Sequence, residues 1–122
     1  MPNPFVHVEL ASTNVPKARK FYAKLFDWKL RDMAIPGGTY TMIGVGKGVG
    51  GGMMKQCMPK ARSDWMPYVL VADIDVATKK ARKLGARVVQ DVTEVEGMGW
   101  LSMIVDPTGA LLGLWEPKKR RK

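Results

Sequence analysis

One cysteine and one histidine are all that 122 residues contain of two side chains that most often bind transition metals or supply nucleophile and base. A lone cysteine, Cys57, cannot close an internal disulfide, so nothing in the chain calls for an oxidising compartment. Its only possible base is His7, which argues against cysteine nucleophilic catalysis, and a single histidine narrows metal chemistry severely. Acidic ligands are also missing over a long stretch: no Asp, Glu or His occurs from Met33 through Ser63. No run approaches the ~18 uninterrupted apolar residues of a membrane span, and Met1-Pro2-Asn3-Pro4 opens without a basic segment and long apolar run. The expectation from these absences is a soluble cytoplasmic protein.

What the chain does contain is ordinary globular material: 46% hydrophobic and 25% charged residues, in a length that supports one domain's core but not two independent ones. The net charge is +9, and Lys118 to Lys122 supply +5 of it. Residues 118–122 read as a basic, disordered, solubilising tail after a single domain over 1–117. The alternative is attraction of nucleic acid or another polyanion by charge alone, although no recognition motif accompanies the run.

Along the chain, Phe5 to Leu10 alternates as a strand, with Val6, Val8 and Leu10 on one face and His7 and Glu9 on the other. Ser12-Thr13-Asn14 offers helix caps, Pro16 suits a first turn, and Ala18, Phe21, Tyr22 and Leu25 recur at helical spacing. Strands over Trp28 to Met33 and Tyr40 to Val45 flank a Pro36-Gly37-Gly38 turn, and a third lies around Val49 to Met54. Gln56 to Asp64 is polar and aperiodic, the best linker. The plan then restarts with a strand over Tyr68 to Ala72, Asp75 as a cap and a helix from Val76 to Leu84 closed by Gly85. Three strands follow: Arg87 to Val92, Trp100 to Val105 and Ala110 to Trp115.

Strand, helix and three strands therefore occur twice, in modules of about 4–55 and about 65–117 joined by a linker of about 56–64. An offset of 61 residues aligns Asn14 with Asp75 and places Tyr68 where His7 stands. Each module has one helix to cover its sheet, so neither would be comfortable alone.

On Phe5-Val6-His7-Val8-Glu9-Leu10, Lys17-Ala18-Arg19-Lys20-Phe21-Tyr22, Leu25-Phe26-Asp27-Trp28, Val71-Ala72-Asp73-Ile74-Asp75 and Asp106-Pro107-Thr108-Gly109, the sequence resembles the glyoxalase, bleomycin-resistance and extradiol-dioxygenase superfamily of vicinal oxygen chelate proteins. Small proteins related to lactoylglutathione lyase are its nearest likeness. The resemblance implies an α+β fold of two βαβββ modules with a cupped mixed sheet, a homodimer, and a small molecule or metal inside the cup. His7, Glu9, Met66, Tyr68 and Leu70 would then face the cup.

In metal-dependent members the resemblance implies ligands at four strand positions, and His7 matches the first. Tyr40 or Met42 stands in the neighbourhood of the second, Met66-Pro67-Tyr68 at the third, and Gly113 at the fourth, where a Glu is expected. Glu116, three residues on, falls on the opposite face by parity. The expectation is accordingly no standard metal site and no cofactor, with a divalent ion as the alternative.

Candidate site residues follow. His7 is a candidate general base oriented by Glu9, or an inert cup-facing imidazole. Tyr40, Met42, Trp65, Tyr68, Trp100 and Trp115 are candidates to line a site for an aromatic ligand, with core packing as the plain alternative; Trp28 reads as core. Gly46 to Gly51 formally spells G-x-G-x-x-G, but no helix follows and no Ser or Thr completes a phosphate loop, so the glycines read as a tight hairpin or a close backbone approach. Three functions remain open: a metal-free small-molecule binder, a metal-dependent lyase, isomerase or dioxygenase using His7, and an antibiotic-sequestering resistance protein. For the last, a +9 chain is a poor receptor for cationic bleomycins and a better one for neutral or anionic aromatic molecules.

Overall fold

The computed structural model of the protein describes residues 2–118; the basic-tail expectation falls almost wholly on 119–122, outside the described residues. Ten elements follow in order: β1 (Phe5–Ser12), α1 (Val15–Leu25), β2 (Lys29–Ile35), β3 (Gly38–Gly44), β4 (Gly51–Lys55), β5 (Asp64–Leu70), α2 (Ile74–Lys83), β6 (Arg87–Val95), β7 (Gly99–Val105) and β8 (Leu111–Pro117). The doubled strand, helix and three-strand plan is present, and β3 and β7 correspond at the 61-residue offset along their whole length.

Two compact units divide the chain, His7–Met66 and Met1–Val6 with Pro67–Lys122. Residues 2–6 group with the second half, where Leu70 N–H donates to Pro4 O at 2.9 Å and Asn3 Nδ2 donates to Leu70 O at 2.8 Å.

In the unit His7–Met66 the strand order is β2-β3-β4-β1, with β4 parallel to β1 and antiparallel to β3. Leu10, Ile43 and Met53 are buried against Val15, Ala18 and Tyr22 of α1. The helix starts where expected: Asn14 Oδ1 accepts from Lys17 N–H at 3.1 Å, and Ser12 Oγ accepts from Asn14 N–H at 3.1 Å. Val8 and Leu10 thus share the helix-bearing face, and parity turns His7 and Glu9 to the other.

The other unit runs β5-β8-β7-β6, with Val71, Ile74, Ile104 and Leu114 as its buried core. Here the cap differs from expectation. Asp73, not Asp75, is the N-cap: its side chain accepts from Val76 N–H at 3.1 Å, while Asp75 lies in the first turn. The apolar residue that anchors α2 is Ile74, which is 2% exposed, so the helix begins two residues earlier than the repeat offset suggests. Asp73→Ala should therefore cost about 1 kcal/mol and Asp75→Ala only a few tenths, measured by urea denaturation. Glu116 Oε1 also accepts from Ile74 N–H, at 2.9 Å. It serves the helix terminus, on the face away from the fourth ligand position. Inside, Thr78 Oγ1 donates to Ile74 O at 2.6 Å and meets Ser102 Oγ at 2.9 Å, so both buried hydroxyls are satisfied where α2 rests on β7.

The turn before β8 is organised by one carboxylate. Asp106 Oδ1 accepts from Thr108 Oγ1 (2.7 Å), Thr108 N–H (2.8 Å) and Ala110 N–H (3.0 Å), and these bonds, led by the Thr108 hydroxyl, hold the carboxyl below the usual carboxylate range. With the folded value lowered, the turn's contribution is complete near neutral pH and is lost as pH falls through that value. Below about pH 4 the wild type should lose Tm more steeply than Asp106→Asn, whose side-chain oxygen still accepts but does not titrate there. Equal slopes in a pH-resolved melting series would contradict this.

Candidate functional site

On the face opposite α1, three side chains of the first unit meet. β1 supplies His7 and Glu9, two residues apart, and β3 supplies Tyr40. Tyr40 Oη donates to Glu9 Oε1 at 3.0 Å and lies 2.8 Å from His7 Nε2. With the phenol donating to Glu9, its oxygen is left to accept from His7 Nε2–H in the tautomer that carries hydrogen there. The His7 and Tyr40 rings are nearly parallel, with centroids 6.4 Å apart. His7 Nε2 is 3.8 Å from Glu9 Oε1, and the two side chains are 28% and 13% exposed, so the carboxylate is the more shielded end of a short donor chain that runs from imidazole to phenol to carboxylate.

A glycine makes this possible. β4 lies between β1 and β3, with Gly52 opposite Glu9 on one side and Met42 on the other. A Cβ at Gly52 would overlap the phenol oxygen and ring of Tyr40. Only the missing side chain lets Tyr40 reach across a whole strand to β1. Around it, register puts Met33, Met42 and Met54 on the same face, a wall of polarisable thioethers beside the polar trio. Gly52 and Met33 are not among the expected site residues. The available signal was strand parity combined with a register that the glycine-dense sequence does not reveal.

The other unit contains a counterpart. Tyr68 on β5 is paired with Gly113 on β8, and a Cβ at Gly113 would overlap its ring. Gly52 and Gly113 are 61 residues apart, at equivalent places in the repeat. Tyr68 is 3% exposed, and Trp115 shares its face of the sheet. Two expected lining residues are elsewhere. Trp65 lies on the helix-bearing face, 5.5 Å from Tyr22 and 6.3 Å from Trp28 between ring centroids, because strand parity sets it opposite to Met66 and Tyr68. Trp100 packs against the core of Val71, Ile74, Ile104 and Leu114. Trp28 is likewise half-buried, packed against the core of Leu10, Ile43 and Met53.

These donors do not fit the divalent ion that metal-dependent members of the resembled superfamily hold. Among the described residues no three His, Cys, Asp or Glu side chains gather where they could hold a metal ion. His7 and Glu9 are bridged by a phenol, and at position 113 the room for a carboxylate is taken by the Tyr68 ring.

An open cavity of about 790 Å³ is on the helix-bearing side of the first unit, away from the trio. Arg19, Asp32, Thr41 and Lys55 line it. Asp32 Oδ1 accepts from Thr41 Oγ1 at 2.7 Å and from Arg19 Nε at 3.2 Å, and these two bonds, the hydroxyl first, lower its pKa from the ordinary value.

Comparison with known proteins agrees with this architecture. The family model of the glyoxalase-like domain matches residues 7–114. A protein of Mycobacterium tuberculosis named as a glyoxylase, CFP32, is 33% identical over 117 residues, covering 92% of this chain and 45% of its own length. The anthracycline biosynthesis protein DnrV of Streptomyces peucetius is 29% identical over 125 residues, covering 88% and 44%. The chain thus spans about half the length of the curated relatives it matches. Among solved structures, a hypothetical protein of Bacillus halodurans superposes with a TM-score of 0.77 at 15% identity, covering 100% of this chain and 99% of the other. Methylmalonyl-CoA epimerase of Mycobacterium tuberculosis superposes with 0.72 at 18% identity, covering 94% and 88%. At such identities the structures speak for the fold, and the family match speaks for descent: the chain belongs to the glyoxalase-like domain family, within the vicinal oxygen chelate superfamily.

Proposed function

We propose that the His7 face of the first unit binds a small organic molecule directly, with no divalent metal as intermediary. The observation that carries this reading is the seat of Tyr40 over Gly52, which commits the one histidine and the nearest carboxylate to a phenol. Glu9, Tyr40 and His7 form the polar end of the site, and Met33, Met42 and Met54 form an adaptable apolar wall. A flat, neutral or anionic aromatic molecule with one hydrogen-bonding group suits that pairing. The anthracycline role in the name of one relative agrees with such a ligand class, and the chain's +9 charge favours an anion over a cation. A proton-transfer enzyme is the second reading, favoured by the continuous His7–Tyr40–Glu9 hydrogen-bonded chain: as His7 Nδ1 takes a proton from a bound molecule, the Nε2 hydrogen can pass to the phenol and the phenol hydrogen to the Glu9 carboxylate, leaving the imidazole neutral. We also propose that two copies of the chain pair, in a soluble protein of the cytoplasm.

Equilibrium dialysis with anthraquinone-2-sulfonate tests the binding reading. Binding should be unchanged by EDTA and fall about tenfold or more in Tyr40→Phe, which keeps the ring over Gly52 but loses the hydroxyl that links His7 to Glu9. Binding that appears only when Zn²⁺, Ni²⁺ or Fe²⁺ is supplied would overturn it.

A further inference from the structure

The polar trio stands at one end of a row of residues that crosses the first unit. Glu9 on β1 is opposite Gly52 on β4, Gly52 is opposite Met42 on β3, and Met42 is opposite Arg31 on the edge strand β2. Alternation along β2 decides the side from which Arg31 projects. Its neighbours belong to the helix-bearing side: Leu30 packs against the core of Leu10, Ile43 and Met53, and Asp32 is bonded to Thr41 and Arg19. Arg31 therefore shares the face of Met33, Met42, Glu9 and His7. Lys29, two residues earlier, adds a second cation to that face at the corner beside Gly44.

Arg31 is exposed, and among the described residues its guanidinium makes no ion pair or hydrogen bond. The acid next to it in sequence does not neutralise it, because Asp32 is turned away and held by Arg19. Glu9 is at the far end of the row and is bonded to Tyr40. Two strands separate β2 from β1, so the floor between the cation and the trio is about 10 Å across.

We infer, on the binding reading proposed above, that Arg31 reads an acid group of the bound molecule and so sets both its class and its orientation. The acid lies over β2 and the flat rings over Met42. At the other end the Glu9 carboxylate can only accept, so a ligand group that meets it is a donor such as a phenol hydroxyl. That carboxylate also repels the acid toward Arg31. A hydroxy acid of two or three fused rings, with hydroxyl and carboxylate or sulfonate at opposite ends, fits this polarity. The planar guanidinium can meet such an acid with two parallel N–H bonds. The net charge of the chain does not make the same selection: at about 0.15 M salt, exposed charges more than ~8 Å away are largely screened, and the choice falls to a cation at the site.

Equilibrium dialysis at about 0.15 M NaCl tests the assignment with 6-hydroxynaphthalene-2-sulfonate and 2-naphthol, which differ only in the acid. The wild type should bind the sulfonate about fivefold or more tightly than the naphthol. Arg31→Gln should weaken the sulfonate alone and bring the two within about twofold, and Arg31→Lys should restore part of the preference. Lys24→Gln removes the same charge from α1 on the other side of the sheet and should keep the preference intact. Circular dichroism checks that the variants fold, which the exposure of Arg31 allows. A wild type that binds neither compound, or binds both indifferently to Arg31→Gln and Tyr40→Phe, overturns the site and the role of Arg31 together. Binding that is weakened by Tyr40→Phe but shows no preference for the acid, or a preference that survives Arg31→Gln, overturns the role of Arg31 alone. Equal loss of preference in Lys24→Gln would give the selection to overall charge and overturn it as well.

Discussion

Gly52→Ala should abolish ligand binding on the His7 face while leaving the protein folded. The new methyl group would stand inside the Tyr40 ring, so the phenol has to swing off β4 and release both His7 and Glu9. The atoms met belong to a side chain and not to backbone, so the clash can be relieved by rotation. We therefore place the cost in the usual range for overpacking, about 1–3 kcal/mol, or a Tm lower by roughly 4–10 °C. Much of it reflects Glu9, which is only 13% exposed and loses its partner when the phenol leaves. A double-mutant cycle with Tyr40→Ala isolates the effect. In the Tyr40→Ala background there is no ring to displace, so Gly52→Ala should become nearly neutral and the coupling should exceed about 1 kcal/mol. Additive effects, or undiminished binding of anthraquinone-2-sulfonate by Gly52→Ala, would mean that Tyr40 is not seated as described.

Gly51→Ala, one residue away, should have the larger effect on folding. A Cβ there would overlap the carbonyl of Val8, and no side chain can rotate to relieve it. Val8 is opposite Gly51 in the parallel β1/β4 ladder, whose hydrogen bonds include Val8 N–H to Gly50 O at 3.1 Å. Making room requires the two strands to part locally, at the place where Leu10 and Met53 begin the core of this unit. We expect a loss above about 3 kcal/mol, enough to unfold the chain or leave it largely insoluble at 37 °C. Chemical denaturation and soluble yield measure it. A Gly51→Ala protein within 1 kcal/mol of wild type would refute the close approach.

The contrast between these adjacent glycines marks the border between sequence and tertiary structure. Alternation in Phe5 to Leu10 already separates His7 and Glu9 from Val8 and Leu10, because a strand has a period of two whatever it packs against. The repeat, the caps at Asn14 and the fold itself were likewise legible. The cap of α2 was misread by two residues because both Asp73 and Asp75 are competent caps, and the choice between them was made by burial of Ile74. Trp65 and Trp100 were misplaced for a related reason: an aromatic residue near a strand end reads the same whether it faces a site or a core, until the strand's register is known.

By itself, then, the sequence determined the doubled βαβββ plan, the face on which His7 and Glu9 lie, and the scarcity of histidine, cysteine and acidic side chains around them. Those properties follow from local periodicity and residue counts. What only the tertiary structure decided is which glycine does what. Among six glycines between Gly44 and Gly52, the ladder register made Gly51 the point where two backbones touch and Gly52 the floor beneath Tyr40. A residue without a side chain carries no pattern of its own, so its role is written by whatever is brought against it.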